Sequence, residues 1–131
     1  MYLSDVKSGV DFERYVMDLL LHSRMCVEDT KRSHDYGADL VVRYNFMKYC
    51  VQCKWSRNPV GVRAIQEVLG SLVIYNAHRG VVVTNSVFTA EARRLAIMNN
   101  VILFDGPGSS PYVSDDSEMG LDYYLLDRLQ V

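Results

Sequence analysis

Apolar residues recur along this chain with two spacings, one typical of helices and one typical of strands. In the first segment they follow helical spacing and predict a helix that ends at about His22. Ser8 and Asp11 come just before it, a hydroxyl and then an acid, which predicts an N-terminal cap. The apolar positions of this helix are Phe12, Val16, Leu19 and Leu20.

Short runs that alternate between apolar and polar residues, or are apolar throughout, predict strands. These runs lie at about 25–27, 38–44, 48–55, 80–84 and 101–104. Helical spacing returns at about 62–73 and 88–98. Connections through these two helices are long enough for right-handed crossovers between parallel strands, whereas 38–44 and 48–55 are close enough for an antiparallel hairpin. The order α-β-β-β-α-β-α-β predicts an α/β fold with a mixed β-sheet flanked by helices.

The length of 131 residues, with 49% hydrophobic and 23% charged residues, suits one domain with a buried core. We expect this domain to span residues 1–106, and residues 107–131 to form a flexible acidic segment with a short C-terminal helix. The net charge of −2 is unevenly spread: residues 1–110 hold 13 Lys and Arg against 11 Asp and Glu. The body is therefore mildly basic, which permits nucleic-acid binding of modest affinity from charge alone.

No segment is predicted to enter a membrane or to direct export. No apolar run approaches the roughly 18 residues of a membrane span, and the first residues lack the basic and apolar regions of a signal peptide. The cysteines Cys26, Cys50 and Cys53 are odd in number and give no disulfide framework. A reducing, cytoplasmic location is expected.

Three polar residues meet at one end of the predicted hairpin: Asp39 near the start of its first strand, and Gln52 and Lys54 near the end of its second. Because side chains alternate along a strand, Gln52 and Lys54 share one face, while Cys53 and Trp55 take the other. A carboxylate, an amide and an ammonium make poor core material. They suit a divalent cation beside a phosphate, since Mg²⁺ prefers oxygen ligands and needs only one or two protein carboxylates.

Each of these residues has a role in hydrolysis of a phosphodiester. Asp39 would be the main metal ligand, with the Gln52 amide oxygen and the Cys53 backbone carbonyl as weaker ones. Lys54 would orient or help deprotonate the attacking water and offset charge on the phosphate. Glu13, at the border of the apolar face of the first helix, is either a further acid of this site or a first-turn acid favoured by the helix dipole. The pattern predicts a nuclease that uses Mg²⁺ or Mn²⁺.

These residues lie within a longer pattern that covers roughly residues 9–106. Its segments are GVDFE (9–13), DYGADLVV (35–42), VQCK (51–54), VGVRAIQEVLG (60–70), GVVVTN (80–85), FTAEA (88–92) and VILFDG (101–106). The pattern resembles the Mrr-like group of restriction endonucleases, within the PD-(D/E)XK nuclease superfamily. The resemblance implies a restriction endonuclease-like fold and metal-dependent cleavage of DNA, with Asp39, Gln52 and Lys54 as the signature trio. It also implies that Glu13 is the helix acid of the family.

Three aspects of the family qualify what the resemblance implies. In this group Gln commonly replaces the Asp or Glu of the wider superfamily, so Gln52 is compatible with an active site. The loop before the signature acid has the residues HDYG at 34–37 where relatives often have paired small residues, so the mouth of the site is expected to differ. Many relatives also carry a separate DNA-binding or motor domain, which leaves the source of any sequence specificity open.

Basic and polar residues around the signature strands are candidates for DNA contact if they converge in space. They are Lys31, Arg32, His34, Arg57, Arg63 and Gln66. Each is also an ordinary surface residue; a solvated loop is the favoured interpretation for His34, and the two are balanced for Gln66. Cys50 and Cys53 have the spacing of half a zinc site, but they project to opposite faces of a strand and are interpreted as core thiols.

The expected function is that of a metal-dependent DNA endonuclease of the Mrr-like restriction type. Cleavage of both DNA strands by a domain with one site requires two subunits, so a homodimer is expected. Three alternatives stay open: a structure-selective nuclease of the Holliday-junction type, a DNA-binding module without turnover, and a subunit of a larger restriction complex with a separate recognition or motor subunit. No membrane partner is expected.

Overall fold

The structure, a computed structural model, describes residues 3–22, 25–30 and 36–105. After a short 3-10 turn, its elements are α1 (Gly9–His22), β1 (Cys26–Asp29), β2 (Leu40–Tyr44), β3 (Met47–Lys54), α2 (Val62–Ile74), β4 (Arg79–Thr84), α3 (Ala90–Met98) and β5 (Ile102–Asp105). This is the predicted order, and the α/β class is confirmed. The predicted acidic segment at 107–131, with its C-terminal helix, lies outside the described residues. None of the described helices is long and apolar enough to cross a membrane.

The strands form one mixed sheet of five, in the order β1-β2-β3-β4-β5. β1, β2 and β3 are antiparallel neighbours, whereas β3, β4 and β5 are parallel. The short turn between β2 and β3 forces an antiparallel pair, while α2 and α3 each carry the chain back so that the next strand runs parallel. The hairpin strand β3 is therefore central, and its carboxyl end is flanked by β2 on one side and β4 on the other.

Helices cover both faces of the sheet, and alternation along β3 decides which helix each residue meets. Tyr49 and Val51 belong to the core that α1 covers, and Cys50 belongs to the core beneath α2 and α3. α1 contributes the buried residues Phe12, Tyr15, Val16, Leu19 and Leu20. Each such large apolar side chain contributes roughly 1.5–3 kcal/mol on burial. The same alternation places Gln52 and Lys54 on the face covered by α2.

The N-terminus of α1 is capped as the sequence predicts. The backbone N–H of Asp11 donates to Ser8 Oγ at 3.2 Å, and the Asp11 carboxylate accepts from the backbone N–H of Lys7 at 3.0 Å. The first contact satisfies a donor that the first turn of a helix leaves unpaired, and the second ties the residue before Ser8 to that turn. The cap fixes where α1 begins, and so fixes the position of Glu13 relative to the sheet.

Three elements differ by two residues at one end from their predicted bounds. β2 is predicted from residue 38 but begins at Leu40, so that Asp39 lies just before it. β1 was predicted at 25–27, but it extends through Asp29 because an edge strand pairs through its backbone and tolerates polar side chains. α3 was predicted from residue 88, but it begins at Ala90. The reason is that Thr89 is its N-cap, accepting from the backbone N–H of Ala92 at 3.1 Å, while Phe88 pairs with Val60 in a parallel bridge.

Candidate active site

Asp39 is held across the hairpin beside the end of β3. The residue is only 8% exposed, and its Oδ2 accepts a hydrogen bond from the backbone N–H of Cys53 at 2.8 Å. Its own backbone N–H donates to the Val51 carbonyl at 2.8 Å. The Thr30 hydroxyl donates to the backbone carbonyls of Ala38 and Asp39. These contacts fix the Asp39 carboxylate beside the carboxyl end of β3.

Gln52 is buried on β3, one residue before the N–H that holds the Asp39 carboxylate, and its two amide atoms have different surroundings. The side chain is 5% exposed, and Nε2 donates to Oε2 of Glu67 at 3.2 Å. Among the described residues, the buried Gln52 Oε1 has no hydrogen-bond partner. An unsatisfied buried acceptor costs about 1–3 kcal/mol. The stability of the fold therefore does not explain why an amide oxygen is buried at this position.

Lys54 lies two residues after Gln52, on the same face of β3, and contacts the same carboxylate. Its Nζ is 3.1 Å from the same Glu67 Oε2, and both side chains are 32% exposed. The Thr84 hydroxyl donates to the Lys54 backbone carbonyl at 2.7 Å, which ties the end of β3 to β4. The ammonium is thus held at the rim of the site, within reach of solvent.

Glu67, on α2, is the residue of this cluster that sequence analysis missed. Its second oxygen, Oε1, is 3.4 Å from Nε of Arg63, one helical turn earlier. The neighbouring Gln66, the candidate that the sequence offers on α2, is exposed. The signal for Glu67 was its helical position: Ala64, Val68 and Ser71 are buried on α2, and an acid three residues after Ala64 falls on the same face.

Glu13 lies on the opposite face of the sheet from Glu67. The preceding residue, Phe12, packs on Trp55 with 5.5 Å between ring centroids, so the first turns of α1 lie against the chain just beyond β3. Burial, together with the carboxylates of Asp39 and then Glu13, raises the pKa of the Cys53 thiol well above its ordinary value. Both carboxylates are therefore within electrostatic reach of Cys53.

The two cysteines of β3 project to opposite faces, as the strand alternation predicts. Cys50 belongs to the core under α2 and α3, and Cys53 packs against the core under α1. Burial also raises the pKa of the Cys50 thiol, so both groups are neutral near pH 7. The pair cannot bind one zinc ion together, because its sulfur atoms are separated by the sheet.

The candidate DNA contacts come together only in part. Arg63 reaches the site through Glu67, although its side chain is 90% exposed. Arg57 is exposed in the connection between β3 and α2. This connection is held by Asn85, which accepts from the Ser56 backbone N–H at 2.8 Å and donates to the Ser56 carbonyl at 2.9 Å. Lys31, Arg32 and His34 lie outside the described residues.

Known proteins that resemble the chain share its fold. A family model described as restriction endonuclease, Mrr_cat, matches residues 5–108. No curated protein matches the chain. The crystal structure of AF1548, a protein of unknown function, superposes with a TM-score of 0.63 at 14% identity, over 86% of this chain and 66% of that one.

Two restriction endonucleases of known structure also superpose on the chain. The DNA modification-dependent restriction endonuclease AspBHI gives a TM-score of 0.51 at 14% identity, over 91% of this chain and 38% of that one. The MspJI restriction endonuclease, solved in complex with a 27-mer oligonucleotide, gives 0.51 at 17% identity, over 89% and 29%. The chain thus spans less than two thirds of each of these three structures. At these identities the likeness is one of fold.

Proposed function

The chain belongs to the Mrr_cat family of restriction endonucleases, and on that premise we propose that it is a divalent-metal-dependent endonuclease that hydrolyses phosphodiester bonds in DNA. The family accounts for a nuclease that acts on DNA. The dependence on Mg²⁺ or Mn²⁺ and the Mrr-like restriction type are our proposals. The observation that carries the metal proposal is the buried Oε1 of Gln52, which has no hydrogen-bond partner in the part of the chain that the structure describes and lies one residue before the N–H that holds the Asp39 carboxylate.

The donor set supports a hard cation rather than zinc. The side-chain donors of this site are the oxygens of Asp39 and Gln52, whereas zinc sites are built mainly from Cys and His. In the described part of the chain no three His, Cys, Asp or Glu side chains come together as a metal cluster. Mg²⁺ is bound by one or two carboxylates and keeps several waters. Asp39 and Gln52 would hold the ion, with the Cys53 carbonyl and Glu13 as the further predicted ligands. When bound, the ion would polarise the phosphate and lower the pKa of its water.

The remaining chemistry would come from Lys54 and its surroundings. The ammonium at the rim of the site can donate to a phosphate oxygen and to the attacking water, and so offset charge that builds up as the water attacks. Arg63, exposed beside it, and Arg57 can contact flanking phosphates, as can Lys31, Arg32, His34 and Gln66 in the proposal. Phosphate contacts of this kind position DNA without reading its sequence.

Sequence recognition and double-strand cleavage are proposed to need more than one such domain. The matched restriction endonucleases are longer than the region that superposes on this chain. We propose that recognition comes from a separate module or subunit, and that two copies of this domain cut the two DNA strands as a homodimer.

The test is cleavage of supercoiled plasmid with Mg²⁺ or Mn²⁺ by the wild type, Asp39→Ala, Lys54→Ala and Asp18→Ala. Asp18 is an exposed acid of α1 and serves as the matched control. Nicking or linearisation that requires metal, survives in Asp18→Ala and falls by more than about a hundredfold in the two site variants supports the proposal. Equal cutting by all four proteins would reveal a contaminant. A folded wild type that binds DNA and never cuts would favour the binding-module alternative.

A further inference from the structure

We propose that Glu67 is a positioning residue that fixes the amide of Gln52 and the ammonium of Lys54, and that Gln52 and Glu67 together carry the single negative charge that an acid at position 52 would otherwise supply. This inference rests on the proposed nuclease function and assigns a role within its site. It explains why the chain has an amide at a position where the wider superfamily has an acid.

The first support is that a single carboxylate oxygen serves both signature side chains. Glu67 Oε2 accepts from Gln52 Nε2 at 3.2 Å and from Lys54 Nζ at 3.1 Å, while Oε1 is 3.4 Å from Arg63 Nε. Hydrogen bonds to charged groups contribute about 1.5–3 kcal/mol, more than neutral ones. Glu67 is therefore able to hold both side chains in one arrangement before DNA arrives.

The second support is the orientation that Glu67 imposes on the Gln52 amide. The two ends of an amide are distinguished by their hydrogen-bond partners, and only the NH₂ end can face a carboxylate. With Nε2 donating to Glu67, Oε1 must point away from α2, and this is the buried oxygen without a partner among the described residues. Glu67 thus presents the amide as an oxygen donor for a cation.

The third support comes from the backbone, independently of these hydrogen bonds. Gly37 has φ +86°, and a Cβ at this position would collide with the Glu67 carbonyl. The loop that leads to Asp39 is therefore packed directly on α2 at Glu67. Glu67 thus positions the loop before Asp39 through its backbone, and it positions Gln52 and Lys54 through its side chain.

The charge of the pair gives the inference its sharpest consequence. A glutamate at position 52 would bring a second carboxylate about as close to Glu67 as the present 3.2 Å contact. Two carboxylates at such a distance repel each other, and this repulsion destabilises their shared arrangement. Acids at positions 52 and 67 are thus alternatives, and one of the two suffices.

The experiment compares the wild type with Gln52→Glu, Glu67→Gln and the double variant. We measure plasmid nicking, Mn²⁺ affinity without DNA by titration calorimetry, and the melting temperature in EDTA. Glu67→Gln in the wild-type background should lower kcat by about ten- to a hundredfold with a smaller change in KM, because hydrogen bonds to a charged group are lost. In the Gln52→Glu background the same substitution should raise the nicking rate and the melting temperature. Glu91→Gln is the matched control, since Glu91 is an exposed helix acid paired with Arg94 at 3.8 Å.

The Mn²⁺ affinity adds a readout that a purely structural role would not change. Glu67→Gln should lower this affinity in the wild-type background, where it removes the carboxylate that orients Gln52, and should raise it in the Gln52→Glu background, where it relieves the repulsion between two carboxylates. The inference is overturned if Glu67→Gln has the same effect in both backgrounds. It is also overturned if Glu67→Gln changes the melting temperature in opposite directions in the two backgrounds but changes the nicking rate and the Mn²⁺ affinity in the same direction in both. A folded wild type that neither binds Mn²⁺ nor cuts DNA would instead refute the proposed function.

Discussion

The two ends of the central strand β3 differ in where their energetically unfavourable groups lie. These groups are buried polar side chains at the carboxyl end and exposed residues with positive φ at the other end. At its carboxyl end, Asp39, Gln52 and Thr84 are buried polar residues. The side chain of each forms a hydrogen bond to another element: Asp39 to β3, Gln52 to α2, and Thr84 to the last carbonyl of β3. One buried oxygen, on Gln52, has no partner among the described residues.

At the other end, the turn between β2 and β3 carries its strain on the surface. Asn45 and Phe46 have φ values of 54° and 67°, as in a type I′ turn, where Asn followed by Gly is preferred. Phe46 is fully exposed, at 103%. A left-handed conformation costs an ordinary residue about 1–2 kcal/mol.

This difference teaches where stability and function are linked in the domain. At the carboxyl end, the unfavourable features are buried and belong to the candidate site, so relieving them should reduce activity. At the turn, the unfavourable feature contacts no part of the site, so relieving it should leave activity unchanged. Such a trade-off is expected where a site needs groups that the fold would not choose. The following variants test each half of the comparison, beginning with the largest expected effect.

Gly37→Ala should disrupt the carboxyl end most strongly. A Cβ would clash with the Glu67 backbone, and φ +86° is unfavourable for alanine. We expect a loss of about 2–4 kcal/mol in the free energy of unfolding, measured by chemical denaturation. Gly70→Ala is the control: its Cβ would meet nothing within 4 Å, and it should stabilise α2 by about 0.5–1 kcal/mol. A Gly37→Ala variant as stable as the wild type would contradict the packing of this loop on α2.

Gln52→Met should separate stability from activity at the same end. Methionine has a similar length and no unpaired acceptor, and Glu67 keeps its contact with Lys54. We expect the free energy of unfolding to change by less than about 1 kcal/mol, because removal of the unpaired acceptor and loss of the hydrogen bond to Glu67 offset each other. Metal-dependent nicking should be lost. Denaturation and plasmid assays on the same preparation provide the measurement. Full cleavage by this variant would show that Gln52 is dispensable.

Phe46→Gly should stabilise the turn without touching the site. It creates the preferred Asn-Gly turn, and we expect a gain of about 1 kcal/mol with unchanged cleavage. Phe46→Ala is the matched control, because alanine removes the ring but keeps the unfavourable left-handed conformation. Equal melting temperatures for the two variants would refute strain as the cause, and a loss of cleavage in both would place the turn within the functional surface.

Thiol labelling gives the smallest effect and reports on burial along β3. Cys26 is exposed, whereas the raised pKa values of Cys50 and Cys53 leave less thiolate at a given pH. At pH 7–8 iodoacetamide should modify Cys26 first, and labelling of the other two should require higher pH or denaturant. Peptide mass spectrometry identifies the order. Rapid modification of Cys53 in the native protein would contradict its environment beside Asp39.

Much of the fold follows from short-range patterns in the sequence. The order of helices and strands, the hairpin and the cap formed by Ser8 and Asp11 depend on local spacing and local hydrogen bonds, and these predictions are confirmed. β1 was shortened in the prediction because its pairing partners, Leu40 to Arg43, lie far along the chain. Backbone pairing of an edge strand leaves no apolar pattern in its own sequence.

The candidate site was predictable where its residues belong to one hairpin. Asp39, Gln52 and Lys54 could be placed together because strand alternation and a short turn fix their relation. Glu67 could not be placed in the same way, because its role depends on how α2 is rotated over the sheet, and one residue changes the direction of a helical side chain by about 100°. Gln66 and Glu67 are neighbours in sequence, yet one is exposed and the other binds Lys54.

The most direct measurement is an anomalous difference map from crystals of the protein grown with Mn²⁺. The account predicts a peak coordinated by the Asp39 carboxylate and Gln52 Oε1, with Gln52 Nε2 still donating to Glu67. A peak elsewhere, or a Gln52 amide turned with its oxygen away from the ion, would contradict it.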